Sequence, residues 1–244
     1  MSLRVPLTAE EIRRESSTLG ADPREILRWT CAQGGTVGLT CSFGGTGIVL
    51  AHMVAVLSLP IPVYFLDTGF LFEETIRYRR EFAERYRLRV IDVQPLLSVD
   101  EQAAEYGDAL YGLDPDQCCQ LRKVESMRRI LSSLDIWVSG LRRDQSETRS
   151  EARVLERHIV DDGRTILKVN PLAHWTRDEA QRYIREHELP ENPLLAQGYK
   201  SLGCWPCTQK VAADAPERAG RWAGTRKTEC GLHTFTQKAD EGAV

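Results

Sequence analysis

Apolar residues gather in short runs, separated by longer segments that are apolar on one side only. Thr36–Ser42 (T-V-G-L-T-C-S) is apolar and β-branched, Ile61–Leu66 reads as a second buried strand, and Leu88–Val93 as a third. Between them, Ile48–Leu57 is apolar over a length that suits a helix, and Glu73–Tyr86 is amphipathic at helical spacing. A helix through Cys119–Ser132 and a strand at Ile136–Ser139 continue the alternation. Strands that alternate with helices imply βαβ units, so the expected fold class is α/β, a parallel sheet with helices on both faces.

Local signals refine this outline. Thr8 followed by Glu11 is a capping box, and Asp22-Pro23 places an N-cap before a first-turn proline, so a short helix is expected after each. Val154–Val160 and Thr165–Val169, joined through Asp161-Asp162-Gly163, read as a hairpin. Thr176 and Glu179 open another helix that Leu189-Pro190 ends. From Glu191 onward the chain is polar and rich in Gly and Pro, with no periodicity, a length of irregular chain that is often functional. The organisation expected is an N-terminal helical extension (1–35), an α/β domain (36–210) and a mobile C-terminal segment (211–244).

Composition narrows the function classes. Of 244 residues, 42% are hydrophobic and 27% charged, which is enough for a sizeable core and argues against disorder. The balance of 32 basic against 35 acidic residues gives −3, and no excess of Lys and Arg to hold nucleic acid. The most apolar region, Val37–Leu66, is broken by Gly44, Gly45, Gly47, Pro60 and Pro62, so no membrane span is expected. The start M-S-L-R-V-P-L-T-A-E-E lacks the apolar stretch of a secretory signal. Seven cysteines, an odd number, then suit reduced thiols in the cytoplasm better than a disulfide framework.

Three features could carry chemistry. The turn S-F-G-G-T-G, Ser42–Gly47, lies between a strand and a helix, where backbone N–H groups and the helix N-terminus can cradle a phosphate. It lacks the Lys-Ser/Thr ending of a P-loop, and a tight βα turn without a ligand is the plain alternative. Cys118-Cys119 and C-W-P-C (Cys204–Cys207) supply the four thiolates of an iron–sulfur cluster or a structural zinc. Cys204, Cys207, Cys230 and His233 offer a different, finger-like zinc spacing, and buried thiols acting as small hydrophobes are the third reading. Cys230 follows Arg218, Arg221, Arg226 and Lys227, cations that would lower a thiol's pKa, so it is either a nucleophile or an ordinary cysteine beside a basic face. His52, His158, His174 and His187 show no partner spacing, and Trp205 and Trp222 read as packing residues.

Taken together, six segments resemble the assimilatory adenylyl-sulfate (APS) reductases of the iron–sulfur branch of the APS/PAPS reductase family. They are Phe65–Thr75, Cys118–Glu125, Ser139–Arg149, Asn170–Thr176, Gly198–Thr208 and Glu229–His233, in the family's order. The resemblance implies an adenine-nucleotide-alpha-hydrolase-like, Rossmann-like fold whose turn at Ser42 and Gly44 holds the nucleotide. It implies a [4Fe–4S] cluster on Cys118, Cys119, Cys204 and Cys207. Lys123 would reach toward cluster and sulfate, Arg143, Arg149, Arg218 and Arg221 would bind substrate, and Cys230 would be catalytic. The implied reaction reduces adenylyl sulfate to sulfite and AMP through an S-sulfocysteine, with thioredoxin or a glutaredoxin-like protein as reductant, in sulfate assimilation and cysteine biosynthesis. A PAPS reductase, and a non-catalytic nucleotide- or redox-sensing metal protein, are the alternatives; assembly into a homo-oligomer is left open. The chain departs from the family where an acidic pair usually follows the Ser-Phe-Gly turn, having Gly45-Thr46-Gly47 instead, and carries an extra Thr228 before Glu229-Cys230.

Overall fold

The strands form in short runs rich in Val, Ile, Leu and aromatic residues, and they meet edge to edge in one sheet. The structure, a computed structural model, describes residues 7–239; residues 1–6, with the start of the N-terminal extension and of the leader reading, and 240–244, ending the C-terminal segment, lie outside the described residues. Among the described residues the strands are β1 (Val37–Thr40), β2 (Val63–Leu66), β3 (Val90–Val93), β4 (Ile136–Ser139), β5 (Leu155–Ile159), β6 (Thr165–Val169) and β7 (Gln237–Lys238). Their order across the sheet is β3-β2-β1-β4-β6-β5-β7. β1, β2, β3, β4 and β6 run parallel, whereas β5 pairs antiparallel with β6 and β7 antiparallel with β5. The sheet is therefore mixed rather than wholly parallel, because the Asp161-Asp162-Gly163 turn is too short for a crossover and folds β5 back on β6.

Helices α1 (Ala9–Thr18) and α2 (Pro23–Ala32) start at the expected caps: Thr8 and Glu11 form both bonds of a capping box, and Asp22 Oδ1 accepts the Arg24 N–H at 2.8 Å. α3 (Ile48–Val56) is apolar on every side and buried from Ile48 to Val54, as a helix covered by the sheet on one side and other helices on the other must be. α4 (Glu73–Arg85) buries only Thr75, Tyr78 and Phe82, its amphipathic stripe. Three short helices that periodicity did not reveal follow β3: α5 (Val99–Tyr106), α6 (Leu110–Leu113) and α7 (Pro115–Cys119). The helix expected over Cys119–Ser132 is interrupted. A π-helical turn, Gln120–Val124, separates α7 from α8 (Glu125–Leu131), and such turns often mark functional sites. α9 (Arg177–Glu186) begins at the Thr176–Glu179 box.

The main core lies between the sheet and α2, α3, α4 and α9, with Leu39, Phe65 and Val138 at its centre. A second cluster packs α8 and Trp137 on the other face, and Leu232 and Phe235 of the C-terminal segment join it. Among the described residues that segment ends in β7, which pairs with the edge of β5. Among the described residues no helix is long and apolar enough to cross a membrane.

Candidate active site

The chain winds to opposite sides from β1, toward β2 and toward β4, and ligands of open α/β sheets bind beyond the strand ends at such a switch point. A cavity of about 230 Å³ occupies that place. The glycine turn forms one wall, with Ser42, Gly44 and Gly45 on its surface. Phe43 anchors this turn: its ring sits 5.8 Å from those of Phe65 and Phe82, and its backbone adopts φ 52, a left-handed conformation unusual for an aromatic residue. Nothing lies within 4 Å of where a Gly45 Cβ would be, so the turn faces open space. On the β4 side, a Cβ at Gly140 would come within 3.3 Å of Gly47 Cα, so this glycine is what lets the two loops converge. Gly47, the N-cap of α3, offers no side-chain cap and lines the cavity, so the N-terminal end of the helix lies at its rim.

The far wall carries Lys123, Arg149, Arg218, Arg221 and the Cys230 thiol, and the cysteine pairs lie behind Lys123 without lining the cavity. Cys118 and Cys119 end α7, and the π-helical turn after them carries Lys123 into the same cavity. Cys118 and Cys204 pack in an apolar cluster with Phe70 and Leu110, and Thr68 Oγ1 lies 3.2 Å from Cys204 Sγ. Cys207 sits on the tight turn Trp205–Cys207. Burial pushes the Cys118 thiol up to about 11, with Cys204 and Cys207 adding to the effect, and burial pushes Cys119 up to about 12. Cys207 is raised by burial and by Cys204.

Cys230 behaves in the opposite way. Burial raises its thiol, but the ammonium of Lys123, the Leu232 N–H and the Arg221 guanidinium together pull it below the ordinary cysteine value. Lys123 is the reciprocal case: burial disfavours its charge, and the thiolates of Cys204, Cys230 and Cys119 restore it and raise its pKa. Arg149, Arg218 and Arg221 line the cavity with Lys123. Arg149 and Arg218 both bond Glu229, and Arg221 stacks 4.6 Å over the Trp222 ring.

Not every expected residue arrives there. Arg143 turns away and donates from Nε to the Ala152 carbonyl at 2.5 Å, while its neighbour Arg142 points to the glycine turn. The tight turn after Arg142 sends consecutive side chains in different directions, which spacing alone does not reveal. Among the described residues no three His, Cys, Asp or Glu side chains are grouped to hold one ion, neither in the quartet Cys118, Cys119, Cys204 and Cys207 nor in the finger-like set of Cys204, Cys207, Cys230 and His233, whose His233 lies flat on Trp137 with ring centroids 5.5 Å apart and 6° from parallel. Sequence reading missed Arg142, Glu217, Trp222 and Glu229. For Glu229 its position beside Cys230 was the available signal. Trp222, read as packing, is buried and ringed by Lys123, Arg218, Arg221 and Lys227, each within 6 Å of its ring.

Fold and crevice define a doubly wound α/β protein of the adenine-nucleotide-hydrolase-like class, with a thiol facing a cationic site. Residues 36–210 match the phosphoadenosine phosphosulfate reductase domain, and the chain belongs to that family. It is 43% identical over 220 residues to the adenosine 5'-phosphosulfate reductase of Salinibacter ruber, covering 89% of this chain and 86% of that one. The adenosine 5'-phosphosulfate reductase 2 of Bacillus subtilis is 42% identical over 214 residues, 87% of this chain and 89% of the relative. Among solved structures, the phosphoadenylyl-sulfate (PAPS) reductase of Candida auris in its phosphate complex superposes with a TM-score of 0.73 at 31% identity, over 85% of this chain and 99% of the other. The FMN adenylyltransferase of Candida glabrata, at 16% identity and a TM-score of 0.54 over 92% of this chain and 80% of its own, shares the fold.

Proposed function

We propose that this chain reduces adenylyl sulfate to sulfite and AMP, with thioredoxin as electron donor, in sulfate assimilation. The relatives identical at over two fifths of the aligned residues carry the name of that activity. One observation supports the reading above the rest: the single thiol lowered in pKa, Cys230, faces the glycine turn across a cavity lined by Lys123, Arg149, Arg218 and Arg221.

The chemistry follows from that layout. The thiolate attacks the sulfate sulfur, an Sγ–S bond forms, the S–O bond to the phosphate breaks, and the electron pair leaves with AMP. Anion meets anion, so Lys123 and the arginines neutralise the sulfate and the charge that grows on the departing phosphate. Arg gives planar, two-pronged contact to such oxyanions. The backbone of Ser42–Gly47 and the N-terminus of α3 hold the nucleotide phosphate. A dithiol of the partner protein then attacks Cys230 Sγ, sulfite departs, and the partner's second thiol frees Cys230 as its disulfide forms. The segment from 211 to 244 carries this thiol between substrate and partner, while 36–210 binds the nucleotide.

The four thiols Cys118, Cys119, Cys204 and Cys207 fit a [4Fe–4S] group as a donor set. Cys118, Cys119 and Cys204 are buried and Cys207 half-buried, Lys123 lies beside Cys119 and Cys204, and four thiolates are the usual complement of such a cluster. When bound, the cluster supplies charge and rigidity beside the sulfate end of the cavity. Seven free thiols suit the reducing cytoplasm.

Anaerobic purification with iron and sulfide counts, then turnover with APS or PAPS plus thioredoxin, tests the proposal. Sulfite from APS, a sulfonate adduct on Cys230, and loss of both in Cys230→Ser are expected. A higher kcat/KM for PAPS would instead favour the second reading, which the solved PAPS reductase relative supports. No turnover with either nucleotide would favour a sensor.

A further inference from the structure

Arg142 carries its charge without water: its side chain is 0% exposed. Its guanidinium donates to Thr46 Oγ1 in the glycine turn, from Nε to Asp144 Oδ1 at 2.9 Å, and from Nη2 to Glu217 Oε2 at 2.9 Å. A buried cation is tolerated when it is paired and fully hydrogen-bonded. Thr46 is neutral, so the balancing charge comes from Asp144 and Glu217. Asp144 is shared, because its Oδ2 also accepts the N–H of Arg177 at the start of α9, at 2.6 Å. Glu217 therefore brings, from the C-terminal segment, a carboxylate that the turn itself does not contain. Lys200 Nζ holds one end of that segment through the carbonyls of Ala213 and Ala215, at 2.5 Å each. Glu217 fixes the other end, immediately before Arg218, and both residues line the cavity with Thr46.

We propose that Glu217 is a positioning residue: by pairing with Arg142 it joins the glycine turn and the Arg218 segment into one unit, and so fixes the spacing between phosphate-facing backbone and anion-binding guanidinium. Its consequence for catalysis rests on the proposed nucleotide site, but the physical coupling does not. Hydrogen exchange of the full-length protein without nucleotide reads the coupling directly. In Glu217→Gln, amides of residues 43–47 and of residues 213–221 are expected to exchange faster together, on the order of tenfold, the weight of one charge-assisted bond lost from a buried cation. A second variant, Thr46→Glu with Glu217→Gln, returns a carboxylate to Arg142 from the turn side and guards against a folding failure. There the turn is expected to stay protected while residues 213–221 still exchange faster. Protection of 213–221 as in the parent protein in either variant, or a rise in Glu217→Gln that leaves the turn unmoved, overturns the proposal. AMP titrated by calorimetry separates the functional layer: its Kd is expected to rise about tenfold in Glu217→Gln. A parent protein that binds no AMP would defeat the nucleotide-site reading, and the exchange result would still decide the coupling.

Discussion

Glu229 grips Arg149 with both carboxylate oxygens, at 2.9 Å from Nε and 2.9 Å from Nη2, one residue before the Cys230 thiol. Arg218 Nη2 reaches the same carboxylate at 3.2 Å and the Thr228 carbonyl at 2.9 Å. Two of the guanidiniums proposed for the substrate are thus engaged by the segment that carries the nucleophile. Under that proposal an incoming sulfate or phosphate would compete with Glu229 for them, while Lys123 and Arg221 remain the cations that lower the Cys230 thiol.

Removing that carboxylate charge has two readouts. The pair is largely buried, so Glu229→Gln is expected to cost about 1–3 kcal/mol of stability. Glu229 also opposes ionisation of Cys230, so the pH midpoint for alkylation of this thiol, followed peptide by peptide in a mass spectrometer, should move down. A midpoint that stays put would show that Glu229 does not act on the thiol.

Lys123 should work in the opposite direction. It is the foremost charge lowering the Cys230 thiol against burial, so Lys123→Met is expected to raise the alkylation midpoint. If Lys123 also faces charge that develops on the sulfate, turnover should fall by about 10²–10³-fold. A normal alkylation profile with lost turnover would confine its role to the substrate.

The comparison of sequence and structure turns on which signals are local. Strands such as Ile136–Ser139 and helices such as Ile48–Val56 appear near their expected places, because burial on every side writes a continuous apolar run into the chain. Capping boxes at Thr8 and Thr176 and the N-cap at Asp22 hold for the same reason, as each needs residues only a few positions apart. α6 and α7 are too short for periodicity, and the π-helical turn at Gln120–Val124 leaves no residue pattern at all. In the site, cysteine pairs and R-x-x-R could be read as motifs. The direction of Arg142 against Arg143, and the meeting of Glu217 with Arg142 across 75 positions, depend on backbone angles and tertiary docking.

Phe43 offers a test of how the glycine turn is held. Its ring is fully buried between Phe65 and Phe82 although its backbone is left-handed. Phe43→Ala should lose about 3–5 kcal/mol in denaturant unfolding, the usual cost of an emptied aromatic site. AMP affinity should fall with it. A stable variant with intact AMP binding would mean that the turn keeps its shape without the anchor.

Acid should release the end of the C-terminal segment before the rest of the fold. β7 is fastened to β5 by His158 Nδ1 and Thr236 Oγ1 at 2.7 Å and by Lys238 Nζ donating to Glu156 at 2.6 Å. Burial disfavours the Glu156 carboxylate, yet His158, Lys168 and Lys238 hold it well below the usual range. Its contribution is therefore complete above the unfolded value, about 4.3, and is lost as pH falls toward the folded one. His158 is lowered, first by burial and then by Lys168 and Lys238 against the pull of Glu156. Below about pH 6.5 the unfolded state binds a proton that the folded state refuses, so this group also weakens folding as pH falls. Both signs agree. Tryptic cleavage at Lys238 is expected to accelerate from about pH 6.5 downward, relative to cleavage in the α/β domain. In His158→Gln the onset should shift to the carboxylate range, and an onset unchanged by that substitution would mean that His158 does not control the strap.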